Sequence, residues 1–255
     1  MKSQDILLLF RMASLHAQEE NLFGQMESES NSSRVEELLK PYVISRMTAG
    51  GPVGQPLITY STDGEDTMFR RQEFDPTLDI EAGWEGWSEP VPVPSLASWS
   101  EGYSLRALST ALGLSKSEVS NAIARCRDAG LLTNDYDTGL PKVNRRQLLE
   151  ITEHALKYFF PVKPGVMVRG IPTGFAAPAL SKSIKSAGGL IPVWPDAFGT
   201  ERGQAIAPLY KTVPEAVKRD RILYHYLALA DAIRLGGPRE CGVAINILKA
   251  GMGLK

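Results

Sequence analysis

Five residues between positions 116 and 125 have types and spacing suited to nucleic-acid chemistry: Lys116, Ser117, Ser120, Asn121 and Arg125. Asn121 carries an amide that can pair bidentately with adenine, and Arg125 a guanidinium that can reach guanine. The Ala124 methyl between them suits the methyl of thymine. Lys116, Ser117 and Ser120 are suited to phosphates or base edges. Further along, Lys142, Arg145 and Arg146 add three cations. The two arginines fall in the first turn of a predicted helix, where the helix dipole disfavours positive charge by roughly 0.3–1 kcal/mol. An external anion such as a DNA phosphate would relieve that cost, and an internal carboxylate would serve as well. These eight residues are the candidate DNA-binding set. Asp135 and Asp137 count against it, because they would meet phosphate unless the hairpin that carries them is lifted away.

The elements that must position these side chains are written in the apolar spacing. Leu105, Leu108 and Leu112 recur at helical spacing and predict a first helix with one buried stripe. Gly113-Leu114-Ser115 supplies a tight turn, with Leu114 placed to plug the space between two crossing helices. Ser115-Lys116-Ser117-Glu118 reads as a capping box that starts the second helix. In that helix Val119, Ala122, Ile123 and Cys126 share one face, and Ser117, Asn121, Ala124 and Asp128 share the opposite one. Ser120, Arg125 and Glu118 flank the polar side, and Gly130 is the expected stop. Leu131 to Thr133 and Leu140 to Val143, joined through Asp137-Thr138-Gly139, predict a two-stranded wing. Asn144 caps the following amphipathic helix, patterned by Leu148, Leu149, Thr152, Leu156 and Phe159. This order of elements is that of a winged helix-turn-helix, whose second helix fits the major groove of DNA. The alternative is the same module used for protein contacts or for packing.

Winged-helix domains need a helix before the helix-turn-helix to complete their small core. Residues 81–100 are rich in Pro, Gly and Trp and offer none. The missing helix is therefore read at Gln4 to Ala17, capped by Ser3, with Ile6, Leu9, Phe10 and Ala13 on one face. That reading makes residues 18–100 an insertion. Within it, Arg34 to Ile44 predicts a short helix, and Leu57 to Tyr60 with Thr67 to Phe69 a hairpin around Asp63-Gly64. Trp84 and Trp87 lie in an acidic run from Asp75 to Glu89, before the stiff Pro90 to Pro94 segment. The two tryptophans are expected to anchor the run onto the same protein. Beyond Pro161, Arg169 to Thr173, Ala176 to Pro178, Ile191 to Pro195 and Arg202-Gly203 read as an ordered loop. Arg169, Trp194 and Arg202 could frame a ligand or partner site there. Thr212-Val213-Pro214-Glu215 is a second capping-box signal, followed by a helical pattern that restarts at Asp220 and runs to Leu235. A last helix is expected from Arg239 to Lys249.

The segments YSLRALSTALGLSKSEVSNAI, GLPKVNRRQLLE, RGIPTGFAAPAL, PVWP and YHYLALADAIRLGGPRE, taken together, resemble a family of bacterial winged-helix proteins classed as MarR-like transcriptional regulators. The resemblance covers most of Tyr103 to Lys249 and implies DNA binding. The long insertion departs from the pattern, since such proteins pass from first to second helix by a short turn. The expected class is mainly α (α+β): first helix over 1–17, acidic insertion over 18–100, winged core over 101–160, and a loop-rich then helical region over 161–255.

A formal net charge of -1 hides a split between the two parts of the chain. Residues 1–100 carry 7 Lys+Arg against 16 Asp+Glu, a net of -9, and the remainder carries 21 against 13, a net of +8. A basic part bearing the helix-turn-helix suits a nucleic-acid binder with an acidic appendage. Cys126 and Cys241 have no metal-ligand spacing, which argues for a reducing compartment and against structural zinc. His16, His154 and His225 lack paired ligands, and no phosphate-binding glycine loop, nucleophile elbow or HExxH is present. Asp231, Arg234, Arg239 and Glu240 read as a structural salt-bridge cluster. No apolar run reaches membrane-spanning length. The expectation is a cytoplasmic, non-enzymatic protein without cofactor or metal, which binds double-stranded DNA sequence-specifically, as a homodimer, to regulate transcription. The alternative is a non-catalytic, antitoxin-like partner of an effector protein, held through the insertion or the carboxyl-terminal helices.

Overall fold

The computed structural model describes residues 1–20, 85–88, 99–178, 180 and 191–254. The helix expected over 34–44, the hairpin around Asp63-Gly64, Trp84 and the Pro90 to Pro94 run lie outside the described residues. All the described residues fall within one compact unit of mixed helix and sheet.

Helix α1 spans Ser3–Glu19, α2 Trp99–Gly102, α3 Leu105–Leu112 and α4 Lys116–Asp128. Strands β1 (Leu132–Asn134) and β2 (Pro141–Val143) form an antiparallel hairpin, followed by α5 (Arg145–His154) and α6 (Leu156–Phe159). Helices α4 and α5 start on the residues their sequence signals name, Ser115 and Asn144, and α3 starts on Ser104. Ser104, Ser115 and Asn144 each accept, through the side chain, the backbone N–H three residues on, at 3.1, 3.2 and 3.2 Å. Helix α4 ends in a left-handed Gly130, φ 70°, with Leu131 N–H bonded to Cys126 C=O at 2.9 Å and Gly130 N–H to Arg127 C=O at 2.9 Å. Both bonds close orphan carbonyls of the last turn. Leu114 is buried in the turn between α3 and α4, as its position predicts.

Helix α1 departs from expectation in two ways. Its first turn is closed not by Ser3 but by Asp5, whose carboxylate accepts the Lys2 N–H at 2.7 Å. It is also buried on every side from Asp5 to Ala17, where the spacing predicts a single buried face. Leu7, Leu8, Met12 and Leu15 are as deeply buried as Ile6, Leu9 and Phe10, because a second layer of helices covers them. A helix buried on every side belongs in the middle of a core, and the polar side chains it carries there, Asp5, Arg11 and Ser14, are paired.

That second layer is carboxyl-terminal: α7 (Val213–Val217), α8 (Arg221–Leu235) and α9 (Pro238–Gly251). Helix α1 packs on α3, α4 and β2 on one side and on α8 on the other. Phe10 meets Tyr226 with ring centroids 6.2 Å apart. Arg11 pairs with Asp220 between these helices, and Ser14 Oγ donates to Asp220 at 2.7 Å. The same Asp220 caps α8 by accepting the Leu223 N–H at 3.0 Å.

Residues 167–172, 192–195 and 201–205, read from sequence as parts of an ordered loop, form a small sheet. Strands β3 (Met167–Pro172), β4 (Pro192–Pro195) and β5 (Glu201–Ala205) each pair with the other two, β3 antiparallel to both and β4 parallel to β5. Glycine permits the closure: a Cβ on Gly170 would sit 2.1 Å from Trp194 O, and one on Gly203 1.9 Å from Ile191 O. The expected charged cluster divides. Asp231 and Arg234 form a buried pair at 2.6 Å, with Asp231 also accepting from Trp194 Nε1 at 2.6 Å and Thr173 Oγ1 at 3.0 Å. Glu240 instead closes the first turn of α9 on the Gly237 N–H at 2.7 Å, and Arg239 is exposed.

Trp87 is buried beside Tyr224, ring centroids 5.8 Å apart, and bridges to Gly199. The tryptophan from the acidic run thus anchors onto the carboxyl-terminal sheet. No helix among the described residues is long and apolar enough to cross a membrane.

Candidate nucleic-acid interface

The outward face of α4 is built by its own periodicity. Val119, Ala122, Ile123 and Cys126 are buried against α1 and α3, so Ser117, Ser120, Asn121, Ala124 and Asp128 point to solvent. Burial pushes the Cys126 thiol up to about 12, which keeps it protonated at neutral pH. Lys116 is exposed in the first turn. The side chains of Lys116, Ser120 and Asn121 form no hydrogen bond or ion pair among the described residues, and Ser117 Oγ lies 3.1 Å from Ser115 Oγ. Four of the eight predicted residues therefore lie together on one open, polar helix face.

Arg125 is engaged elsewhere. Its Nε and Nη2 reach the Asp5 carboxylate, with Nη2 at 2.6 Å from Oδ1, and Nη2 also lies 2.6 Å from Glu118 Oε1. Asp5 is fully buried, whereas the Arg125 side chain is 30% exposed. Hydrogen bonds donated to the Asp5 carboxylate first, then to Glu118, hold the guanidinium well above its ordinary range, and Arg125 in turn draws Glu118 down. Gln4 Nε2 also donates to Glu118. The Glu118 carboxylate, expected from sequence to return to the Ser115 backbone in a capping box, instead ties α4 to the start of α1. Arg125 belongs to that bridge and is not spread over the outward face.

The hairpin and α5 show the same pattern. Asp135 accepts from Asp137 N–H at 3.1 Å, Thr138 N–H at 3.2 Å and Lys142 Nζ at 2.8 Å. Lys142, above all, holds the Asp135 carboxyl well below the usual carboxylate range, and Asp135 raises the Lys142 ammonium. Arg145 gives both terminal nitrogens to Glu20, at 2.7 and 3.0 Å. The cation in the first turn of α5 is therefore relieved by an internal carboxylate. Arg146 is 84% exposed, with Glu150 3.6 Å away. His16 sits behind this group, its Nε2 3.0 Å from Pro141 O, and burial lowers its pKa.

Arg127 was not singled out by the sequence reasoning. It is exposed at the end of α4, with Nη2 3.0 Å from Asn134 Oδ1 on β1. It lies seven residues, two turns, beyond Ser120, and that spacing is the signal that finds it. Among the described residues no group of three or more His, Cys, Asp or Glu could hold a metal ion. Comparison with protein-family models, curated proteins and solved structures finds no match to this chain.

Proposed function

We propose that this protein binds double-stranded DNA sequence-specifically and regulates transcription, with α3 and α4 as a helix-turn-helix and β1–β2 as its wing. The observation that carries the reading is the outward face of α4, where Lys116, Ser120 and Asn121 are exposed and uncommitted among the described residues and the exposed Ser117 meets only the neighbouring Ser115 hydroxyl. An amide two turns from a helix end, flanked by hydroxyls and a lysine, suits base edges and adjacent phosphates. Arg125 supports that face as a strut, and Arg146 and Arg127 extend it with cations. One such face reads few base pairs, so the binding species is a homodimer. The test is a mobility-shift titration of the chain on the DNA upstream of its own gene over a salt series. Asn121→Ala should weaken the preferred duplex by ~1–3 kcal/mol and leave non-specific duplex largely unaffected. An unchanged shift would refute the role of α4.

A second reading is supported by a different observation. Tyr158, Phe159 and Val166 are 80%, 75% and 76% exposed, close in sequence at the end of α6 and before β3. Apolar groups so placed suit a protein partner, as in an antitoxin-like protein. Replacing Tyr158 and Phe159 with Ser would then abolish co-purification with the product of the neighbouring gene while leaving any DNA shift intact.

A further inference from the structure

We propose that Arg169 and Arg202 together bind the phosphate group of an anionic ligand on the open face of β3 and β5. The two residues are direct partners in the antiparallel register of these strands, and both are exposed. Opposed residues in such a ladder have Cβ atoms about 4.5–5.5 Å apart, and like charges placed so oppose folding. Neither guanidinium forms a hydrogen bond or ion pair among the described residues. That sets them apart from Arg11, Arg125, Arg145, Arg146 and Arg234, each of which faces a carboxylate.

The scaffold beneath the pair is fixed. Gly203, next to Arg202, has Ile191 O where a Cβ would go, and Gly170, next to Arg169, has Trp194 O there. Backbone pressed on backbone holds the two strands, so the forks start from a set separation. The next pair along the same face is Met167 and Gln204, which adds an amide donor. Glu201 precedes Arg202, and strand alternation sends it to the other face. Two planar forks and an amide, with no acid between them, match the oxygens of a phosphate better than a single carboxylate. Trp194, once grouped with these arginines by its place in the chain, is buried on Asp231 and takes no part.

This site does not depend on the α4 reading, and the test separates the two. Thermal unfolding of the full chain is followed in inorganic phosphate and in chloride at matched ionic strength. Phosphate should raise the midpoint above that in chloride, and the rise should grow with the logarithm of phosphate concentration once the site is occupied. R169Q and R202Q should each weaken the apparent phosphate affinity by about tenfold, with R169K retaining part of it. Duplex binding is measured in parallel. A salt slope lowered by about one in R169Q, without a response to free phosphate, would identify the phosphate as that of a nucleic-acid backbone. A phosphate-specific rise lost in the variants, with an unchanged slope, would identify a small phosphorylated ligand. No difference between phosphate and chloride together with an unchanged slope would overturn the proposal, as would a phosphate response undiminished in the double variant.

Discussion

Arg125 offers the sharpest test of how this helix pair is held. Replacing it with Ala leaves the fully buried Asp5 carboxylate with the Lys2 N–H as its remaining strong donor. Breaking a buried pair by removing one partner costs about 3–5 kcal/mol, because a charge is stranded out of water. The 30% exposure of Arg125 lets water approach the carboxylate from that side, so about 3 kcal/mol is expected. Asp5→Ala removes the same pair and a helix cap of ~1 kcal/mol, yet it strands less. Arg125 keeps Glu118 at 2.6 Å and some solvent, so a total of about 2 kcal/mol follows. The double variant has no stranded charge and should be no less stable than R125A alone. The assay is urea unfolding, with midpoints compared at constant slope. If the two single costs add to within ~0.5 kcal/mol in the double variant, the residues are not coupled and the strut is refuted. A base-reading Arg125 would behave differently: its loss would relax duplex preference at unchanged stability.

Three further outcomes follow from the same geometry. R146Q should weaken all duplexes alike and lower the salt slope by about one, whereas E20Q, which frees the Arg145 guanidinium, should tighten them at low salt; both are read in shift titrations. Burial lowers the His16 pKa in the folded chain, so the unfolded state takes up the proton first as pH falls. The stability that His16 contributes is thus complete above its ordinary value of about 6.5 and is lost below it, and H16Q should flatten a plot of urea midpoint against pH in that window. Removing residues 161–255 uncovers the α8-facing side of α1 and strands Arg11. Since each large apolar side chain gains about 1.5–3 kcal/mol on burial, the fragment 1–160 should show no cooperative unfolding transition by circular dichroism.

What could be read from the chain in advance was local chemistry. Ser115, Asn144 and Gly130 act at helix ends because their side chains, or lack of one, satisfy groups within four residues. Asp220 does the same for α8, and a helix beginning there was legible. The spacing of Val119, Ala122, Ile123 and Cys126 fixed which side of α4 would face out. The carboxylates that occupy the candidate cations were not legible, because Asp5 meets Arg125 and Glu20 meets Arg145 across 120 and 125 residues of chain. No periodicity reports a pairing of that range. The sheet of β3, β4 and β5 was missed for a different reason. Its strands are short, carry Pro172, Pro192 and Pro195 at their ends, and take glycine where most strands take β-branched residues. Those glycines looked like loop markers and are instead the points where backbones touch.

The same long-range pairings explain why α1 tolerates so much burial of charge. Asp5 and Arg11 lie six residues apart and point to different sides of the helix, one toward α4 and one toward α8. Leu and Ile side chains around them set the depth of packing but not its register, since one apolar ridge fits another in several positions. A stranded carboxylate or guanidinium makes each slipped register costly. Asp5 with Arg125 therefore fixes α4 along α1, and Arg11 with Asp220 fixes α8 along the same helix. Helix α1 becomes the common reference for the outward face of α4 and for the helices that cover the far side. A change in how α8 meets α1 reaches Ser117, Ser120 and Asn121 through that buried helix, beside the direct seam where Arg219 Nη1 donates to Thr110 O at 2.9 Å.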